Sequence, residues 1–183
     1  MKKIKTDLRV IGGGSGGLSV ASGAVQMGAR VVLLEGHKMG GDCLNYGCVP
    51  SKALLSEAKA AHATGRASAR AFKEAKDHVR AVIDTIAPHD SVARFSGLGV
   101  KVIEAYGAFT GPDTVQAGDY EISARRIVIA TGSSPFVPPV PGLEDVPYET
   151  NETIFELREK PAHLLVIGGG PIGMEMAQAH RRM

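Results

Sequence analysis

Apolar and polar positions alternate between two periods along this chain, and the changes of period mark its elements. Leu8–Ile11 is a short apolar run that meets glycines at once; small and apolar residues then recur at helical spacing from Gly14 to Met27, stopped by Gly28. Arg30–Glu35 is a second apolar run, closed by an acid. The pattern predicts strand, helix and strand over 8–11, 14–27 and 30–35, a βαβ unit. After a loop, a helix should open at Pro50 and end before Gly65. A second should carry Phe72, Ala75, Val79, Val82 or Ile83, and Ile86 on one face until Pro88. From Val100 to Ile129 the period falls to two, in runs broken at Gly111-Pro112-Asp113 and Gly118-Asp119, as in an antiparallel β-meander. Arg126–Ala130 reads as a buried strand running into Thr131-Gly132.

The opening pattern occurs twice. Leu-x-Val-Ile-Gly-Gly-Gly-x-x-Gly begins at Leu8 and again at Leu164, a separation too long for a solenoid repeat and suited to two similar domains in tandem. Five of the ten prolines, at 135, 138, 139, 141 and 147, make a stiff connection between them. The expected boundary divides 1–147 from 148–183.

Composition narrows the classes. A net charge of +2 gives no electrostatic grip on a polyphosphate backbone, so nucleic acid is not an expected partner. At 44% hydrophobic, with no apolar run near the ~20 residues of a membrane span, no membrane association is expected either. Two cysteines in 183 residues do not make a stapled secreted scaffold. Lys2, Lys3 and Lys5 precede an apolar stretch as in a signal peptide, but Asp7, Arg9 and the glycines interrupt it, so a cytoplasmic location is expected.

The 23 glycines concentrate in motifs. Gly12-x-Gly14-x-x-Gly17 follows a predicted strand, opens a predicted helix and is answered by Glu35 at the end of the next strand, the context of a dinucleotide-binding turn. The first glycine allows the tight turn, the second lets a pyrophosphate reach the backbone, and the third lets helix and strand close. Phosphates would lie on the helix N-terminus over Gly12, Gly14, Ser15, Gly16 and Gly17, with Glu35 on the adenosine ribose. Gly168-x-Gly170-x-x-Gly173 is the second copy. Between them stand Cys43 and Cys48, five apart, in Gly40-Gly-Asp-Cys-Leu-Asn-Tyr-Gly-Cys-Val-Pro-Ser-Lys52. Five helical steps put the two thiols about 140° apart around an ideal axis, so a pair requires a loop or a distorted turn. So small a loop stabilises a fold weakly, which favours redox chemistry over a structural bridge. Pro50 suits a first helical position, placing Cys48 at a helix N-terminus that favours its thiolate, with Lys52 adding positive charge. The six histidines show no ligand spacing beside the cysteines, and no metal site is expected.

Together these motifs, with Ala130-Thr131-Gly132-Ser133, resemble the flavoprotein disulfide reductases. The Pro-Ser-Lys ending is similar to the dihydrolipoamide dehydrogenase and mercuric reductase branch. The resemblance implies an α/β fold: a Rossmann-like FAD-binding domain of parallel sheet, helices and antiparallel meander, followed by the first strand and helix of a second dinucleotide-binding domain. It implies an enzyme that moves electrons between NAD(P)H, FAD and a Cys43–Cys48 disulfide, with Cys48 against the flavin as the charge-transfer thiolate and Cys43 exchanging with substrate. Lys52 would lie near flavin N5, paired with Glu175. Gly41, Asp42, Gly107, Ala130, Thr131 and Gly132 would contact the cofactor, and Gly168, Gly170 and Gly173 would face NAD or NADP. The implied substrate is a lipoamide-like disulfide or mercuric ion, and the implied parent a homodimer.

Asp42 stands where the family has threonine, Tyr46 where valine is common, and Pro171 where many members carry a tyrosine over the nicotinamide pocket. From Leu164 only one strand and one helix remain, short of the ~30 residues of a βαβ unit. The chain is therefore expected to be a fragment without turnover. The alternative is a stand-alone, non-enzymatic FAD- or ADP-binding module. Leu164–Ile167 lacks neighbours of its own, so residues after about 150 should be poorly ordered or pair with another chain.

Overall fold

A computed structural model describes all 183 residues, which divide into two compact units: 1–43 with 86–133, and 44–85 with 134–183. The expected boundary at 147 lies inside the second unit.

The first unit is a six-stranded sheet. Strands β1 (Lys2–Ile11), β2 (Val31–Leu34), β3 (Lys101–Ile103), β4 (Gly107–Phe109), β5 (Thr114–Ala117) and β6 (Tyr120–Ile129) lie in the order β3-β2-β1-β6-β5-β4. β1 pairs in parallel with β2 and β6, and β2 with β3; β4–β5 and β5–β6 are antiparallel. Helix α1 (Ser15–Gln26) crosses from β1 to β2 as the apolar period requires. Its Leu18 and Ala21 pack with Val10, Val31, Leu33, Phe95 and Val100 on one face of the sheet, while Ile11, Val32, Leu34, Ile103, Val115 and Ile122 fill the other.

Several expectations are corrected. β1 begins at Lys2 rather than Leu8, because Ile4 and Thr6 alternate with exposed lysines and pair with β6 from Tyr120 onward. β3 belongs to the parallel part of the sheet, so the meander is only β4–β5–β6. The end of β6 is not a buried strand: Arg126 is exposed, and so is Ile129. Two short helices were unforeseen, α2 (Gly41–Asn45) within the expected loop and α5 (Val92–Gly97) after a 3₁₀ turn at Ala87–Asp90. Arg9 is a further surprise. Fully buried on β1, it donates through Nη1 to the carbonyls of Ile122 at 2.6 Å and Asp113 at 3.4 Å, and its guanidinium lies 5.3 Å from the Phe109 ring centroid. One buried cation thus ties the central strand to the meander.

The second unit is helical. α3 (Cys48–Ala63) and α4 (Ala69–Ile86) present Leu54, Ala58, Phe72 and Val79 to Ile154 and Phe155 of a 3₁₀ turn and to Met176, Ala179 and Met183, the first two of these three on α6 (Pro171–Arg182). Ion pairs Arg80–Glu156, at 2.5 Å, and Arg158–Asp77 tie residues 154–158 to α4. The expected strand over 164–167 is absent, and Leu165 and Ile167 are 84% and 61% exposed. The expectation of a loose tail is corrected as well, since α6 docks on α3 through the apolar face of Met176 and Ala179. None of the helices is long and apolar enough to cross a membrane.

Candidate functional site

The glycine turn is held by strands on both sides. Gly12 N–H donates to the Leu34 carbonyl, and Ala130 N–H to that of Ile11, each at 2.8 Å. Gly12 has φ +111°, and a Cβ there would stand 2.1 Å from the Ala130 oxygen, so the turn admits no side chain. A Cβ on Gly17 would stand 1.9 Å from the Gly12 oxygen, which is how α1 closes on the strand. Gly14 and Gly16 differ. A Cβ on Gly14 would meet only ordinary contact at 3.6 Å, and one on Gly16 nothing within 4 Å. No side chain caps α1, whose N-cap is Gly14. The backbone N–H groups of Ser15, Gly16 and Gly17 thus head a helix beside open space that a Cβ would fill, and this fits a pyrophosphate.

The loop after β2 frames the same turn. Gly40 N–H donates to Gly13 O at 2.8 Å and Gly14 bridges Gly40, while Gly41 passes so close to Gly14 that a Cβ would lie 2.6 Å from its Cα. Glu35 is already engaged by backbone, Oε2 accepting from Gly13 N–H at 2.6 Å and Oε1 from His37 N–H at 2.7 Å. Each carboxylate oxygen keeps a further lone pair, so a ribose hydroxyl can still donate to it. Gly107 starts β4, where a Cβ would press on Leu34 and Val115 at 2.9 and 3.0 Å. Ala130, Thr131 and Gly132 follow the end of β6, with Thr131 and Gly132 exposed.

Cys43 is half-buried in the middle of α2 and Asp42 is exposed in its first turn; Cys48 is exposed and opens α3. Tyr46 and Gly47 break the helix between the cysteines, Gly47 at φ −121° and ψ −115°. The helix begins at Cys48, two residues before the expected Pro50. One turn on, Lys52 Nζ lies 2.6 Å from Glu175 Oε1 on α6. That ammonium hydrogen bond, aided by the Ser51 hydroxyl, holds the Glu175 carboxyl below its usual range.

The second glycine motif folds into the same local turn. Gly168 has φ +116°, and a Cβ on Gly173 would stand 2.5 Å from the Gly168 oxygen. Gly170 caps α6 with φ −74° and ψ 175°, against −80° and −178° for Gly14 on α1.

Three residues escaped the sequence reading. Lys76, on the apolar face of α4, is buried, donates to Ile154 O at 2.6 Å and lies over the rings of Phe72 and Phe155; burial pushes it down to about 8. His180 is buried beside Phe72 with Nδ1 2.8 Å from Met176 O, and burial lowers it too. Ser51 is 7% exposed with its Oγ 3.3 Å from Cys48 O. Its position three residues after Cys48 was the available signal, since helical serines bond back to the preceding turn.

Residues 6–183 match the family described as pyridine nucleotide-disulphide oxidoreductase. The chain belongs to this family. Its members use FAD and NAD(P)H and are oxidoreductases. The chain is similar, at 36% identity, to a mercuric reductase of Streptomyces lividans, covering 97% of itself and 40% of that protein. To dihydrolipoyl dehydrogenase 2, chloroplastic, of Arabidopsis thaliana it is 34% identical, covering 98% of itself and 34% of the relative. The HOCl-induced flavoprotein disulfide reductase RclA of Escherichia coli superposes with a TM-score of 0.85 at 28% identity, over 96% of this chain and 40% of that one. The chain therefore spans about two fifths, or less, of the relatives it matches.

Proposed function

We propose that this chain carries the flavin and dithiol part of an NAD(P)H-dependent disulfide oxidoreductase, acting on a lipoamide-like disulfide or on mercuric ion, in the cytoplasm and as a homodimer. In this reading 1–147 is the FAD-binding domain and 148–183 begins the NAD(P)-binding domain. The observation that carries it is the Lys52–Glu175 pair, one turn after Cys48 on the helix that the CxxxxC motif opens. Bound FAD would supply two-electron chemistry between a nicotinamide and the Cys43–Cys48 disulfide, the hydride's electron pair and its proton breaking the S–S bond into the Cys43 thiol and the Cys48 thiolate.

The chain's own residues have separable tasks. The α1 N-terminus beyond Gly12, Gly14 and Gly17 would seat the diphosphate, Glu35 the ribose, and Gly41, Asp42, Gly107 and the 130–132 turn the rest of the cofactor. Asp42 would add a like charge near the phosphates, so it is expected to weaken FAD binding relative to an uncharged residue. Cys48, exposed at the start of α3, would face the isoalloxazine, and Cys43 would exchange with substrate. Lys52 would hold positive charge at that ring, with Glu175 orienting its ammonium. Gly168, Gly170 and Gly173 would approach the nicotinamide dinucleotide.

Anaerobic dithionite titration after reconstitution with FAD tests this. The chain should take up electrons for the disulfide in addition to the flavin's share, and Cys48→Ser the flavin's share alone. Equal uptake by the two proteins, or a chain that stays colourless with FAD, would reject the proposal.

A further inference from the structure

We infer that Ser51 is a positioning residue whose hydroxyl couples the Lys52–Glu175 ion pair to the first turn of α3, where Cys48 stands. The inference deepens the proposed function, resting on it only for the importance of Cys48. Ser51 is 7% exposed, although Lys52 beside it keeps 62% of its side chain in solvent. Its Oγ lies 3.3 Å from Cys48 O and 3.4 Å from Lys52 Nζ, and Lys52 Nζ in turn lies 2.6 Å from Glu175 Oε1. Ser51 N–H is already committed to Gly47 O at 3.0 Å, which fixes the backbone under the side chain.

A hydroxyl has one hydrogen and two lone pairs. Lys52 can only donate to it, so the oxygen accepts from the ammonium while the single hydrogen goes back to the Cys48 carbonyl. The same ammonium donates to Glu175 on α6, so the carboxylate and the Ser51 oxygen draw on one donor group. With α6 docked and Glu175 ionised, the carboxylate holds the ammonium at 2.6 Å and leaves its bond to Ser51 long, at 3.4 Å. When Glu175 is neutralised, the ammonium closes on the Ser51 oxygen, polarises the hydroxyl and tightens its bond to the Cys48 carbonyl under the thiol. The state of α6, which bears the second glycine turn, is in this way reported to Cys48 through one side chain.

A double-mutant cycle on the 183-residue chain without cofactor tests this, with Cys43→Ser in every variant so that iodoacetamide reads Cys48 alone. Glu175→Gln should change the Cys48 alkylation rate at least about twofold, the lower range of coupling between residues in contact. That effect should vanish in Ser51→Ala and persist in Ser51→Thr, which keeps the hydroxyl. An equal effect of Glu175→Gln with and without the hydroxyl, or none in the Ser51 chain, overturns the inference. Should Ser51→Ala fail to fold by circular dichroism, the carbon-13 shift of the Cys48 carbonyl decides without it: the shift must move on Glu175→Gln, and an unmoved shift is fatal. Neither readout requires flavin, so a chain that shows the coupling yet refuses FAD would sink the proposed function and leave this inference standing.

Discussion

The two glycine turns share a sequence and a local shape but not a support. Gly17 and Gly173 each press on the oxygen of the first glycine of their motif, and a Cβ on either would stand 3.2 Å from the Cγ1 of the equivalent valine, Val10 or Val166. The first turn is nonetheless clamped between strands, whereas nothing lies within 4 Å of a Cβ built at Gly168 and the run before it pairs with no strand. The turn is therefore written locally, by the left-handed first glycine and the close approach of the third. The strand is not, because a ladder needs neighbours to satisfy its N–H and C=O groups. What holds the second turn is its helix, docked by Met176, Ala179 and the Lys52–Glu175 pair.

Amide exchange separates the two supports most widely. Val10 and Ile11, paired with Leu33 and Leu34 on one side and Val128 and Ile129 on the other, should exchange near the rate of global unfolding. Val166 and Ile167 should exchange close to the unprotected rate, several orders of magnitude faster. Protection at Val166 would show that the second run has found partners, and the contrast would dissolve.

Substitution of the first glycine of each motif comes next in size. Gly12→Ala combines φ +111° with a Cβ 2.1 Å from the Ala130 carbonyl oxygen, and should cost at least about 4 kcal/mol in urea unfolding or prevent folding altogether. Gly168→Ala meets the same backbone strain at φ +116° with open space around it, and should cost only about 1–2 kcal/mol. Equal losses would mean that the strands add nothing to the demand for glycine.

The same division explains what could be read from the residues. The first βαβ unit, the glycine turn with Glu35, and the helix bearing Phe72, Ala75 and Val79 were legible because period and turn chemistry are local. The partner of a strand is not local: Lys101–Ile103 reads as one more short run, and only the fold puts it beside β2 rather than in the meander. Helices of five and six residues, α2 and α5, are too short to show a period. Burial of a charge is invisible as well. Lys76 reads as a solvated position until Phe155 and Ile154 arrive from a distant segment, and Arg9 reads as an interruption of an apolar strand until Ile122 offers a carbonyl. Lys52 and Glu175 follow from the family resemblance, while the Ser51 hydroxyl beside Lys52 emerges only from geometry.

Those two buried cations turn the comparison into a pH experiment of smaller size. In the unit that carries the second turn, burial lowers Lys76 from 10.5 to about 8, against the favourable pull of Glu149 and Glu156. Between those values the unfolded chain binds more protons than the folded one, so stability of this unit should rise with pH from about 8 to 10.5 and be flat below that window. At about 1.36 kcal/mol per pH unit the gain is at most about 3 kcal/mol. Lys76→Met should abolish the slope and be neutral or stabilising at pH 7, since an apolar side chain avoids the desolvation while stranding the Ile154 carbonyl, a loss of about 1 kcal/mol. Arg9, the buried cation of the sheet that clamps the first turn, stays protonated throughout this range, so unfolding followed at Val10 and Leu33 should lack the slope seen at Met176 and Ala179. A slope that survives Lys76→Met, or appears equally at Val10, would show that another group carries it and that the two turns do not differ in the way their supports titrate.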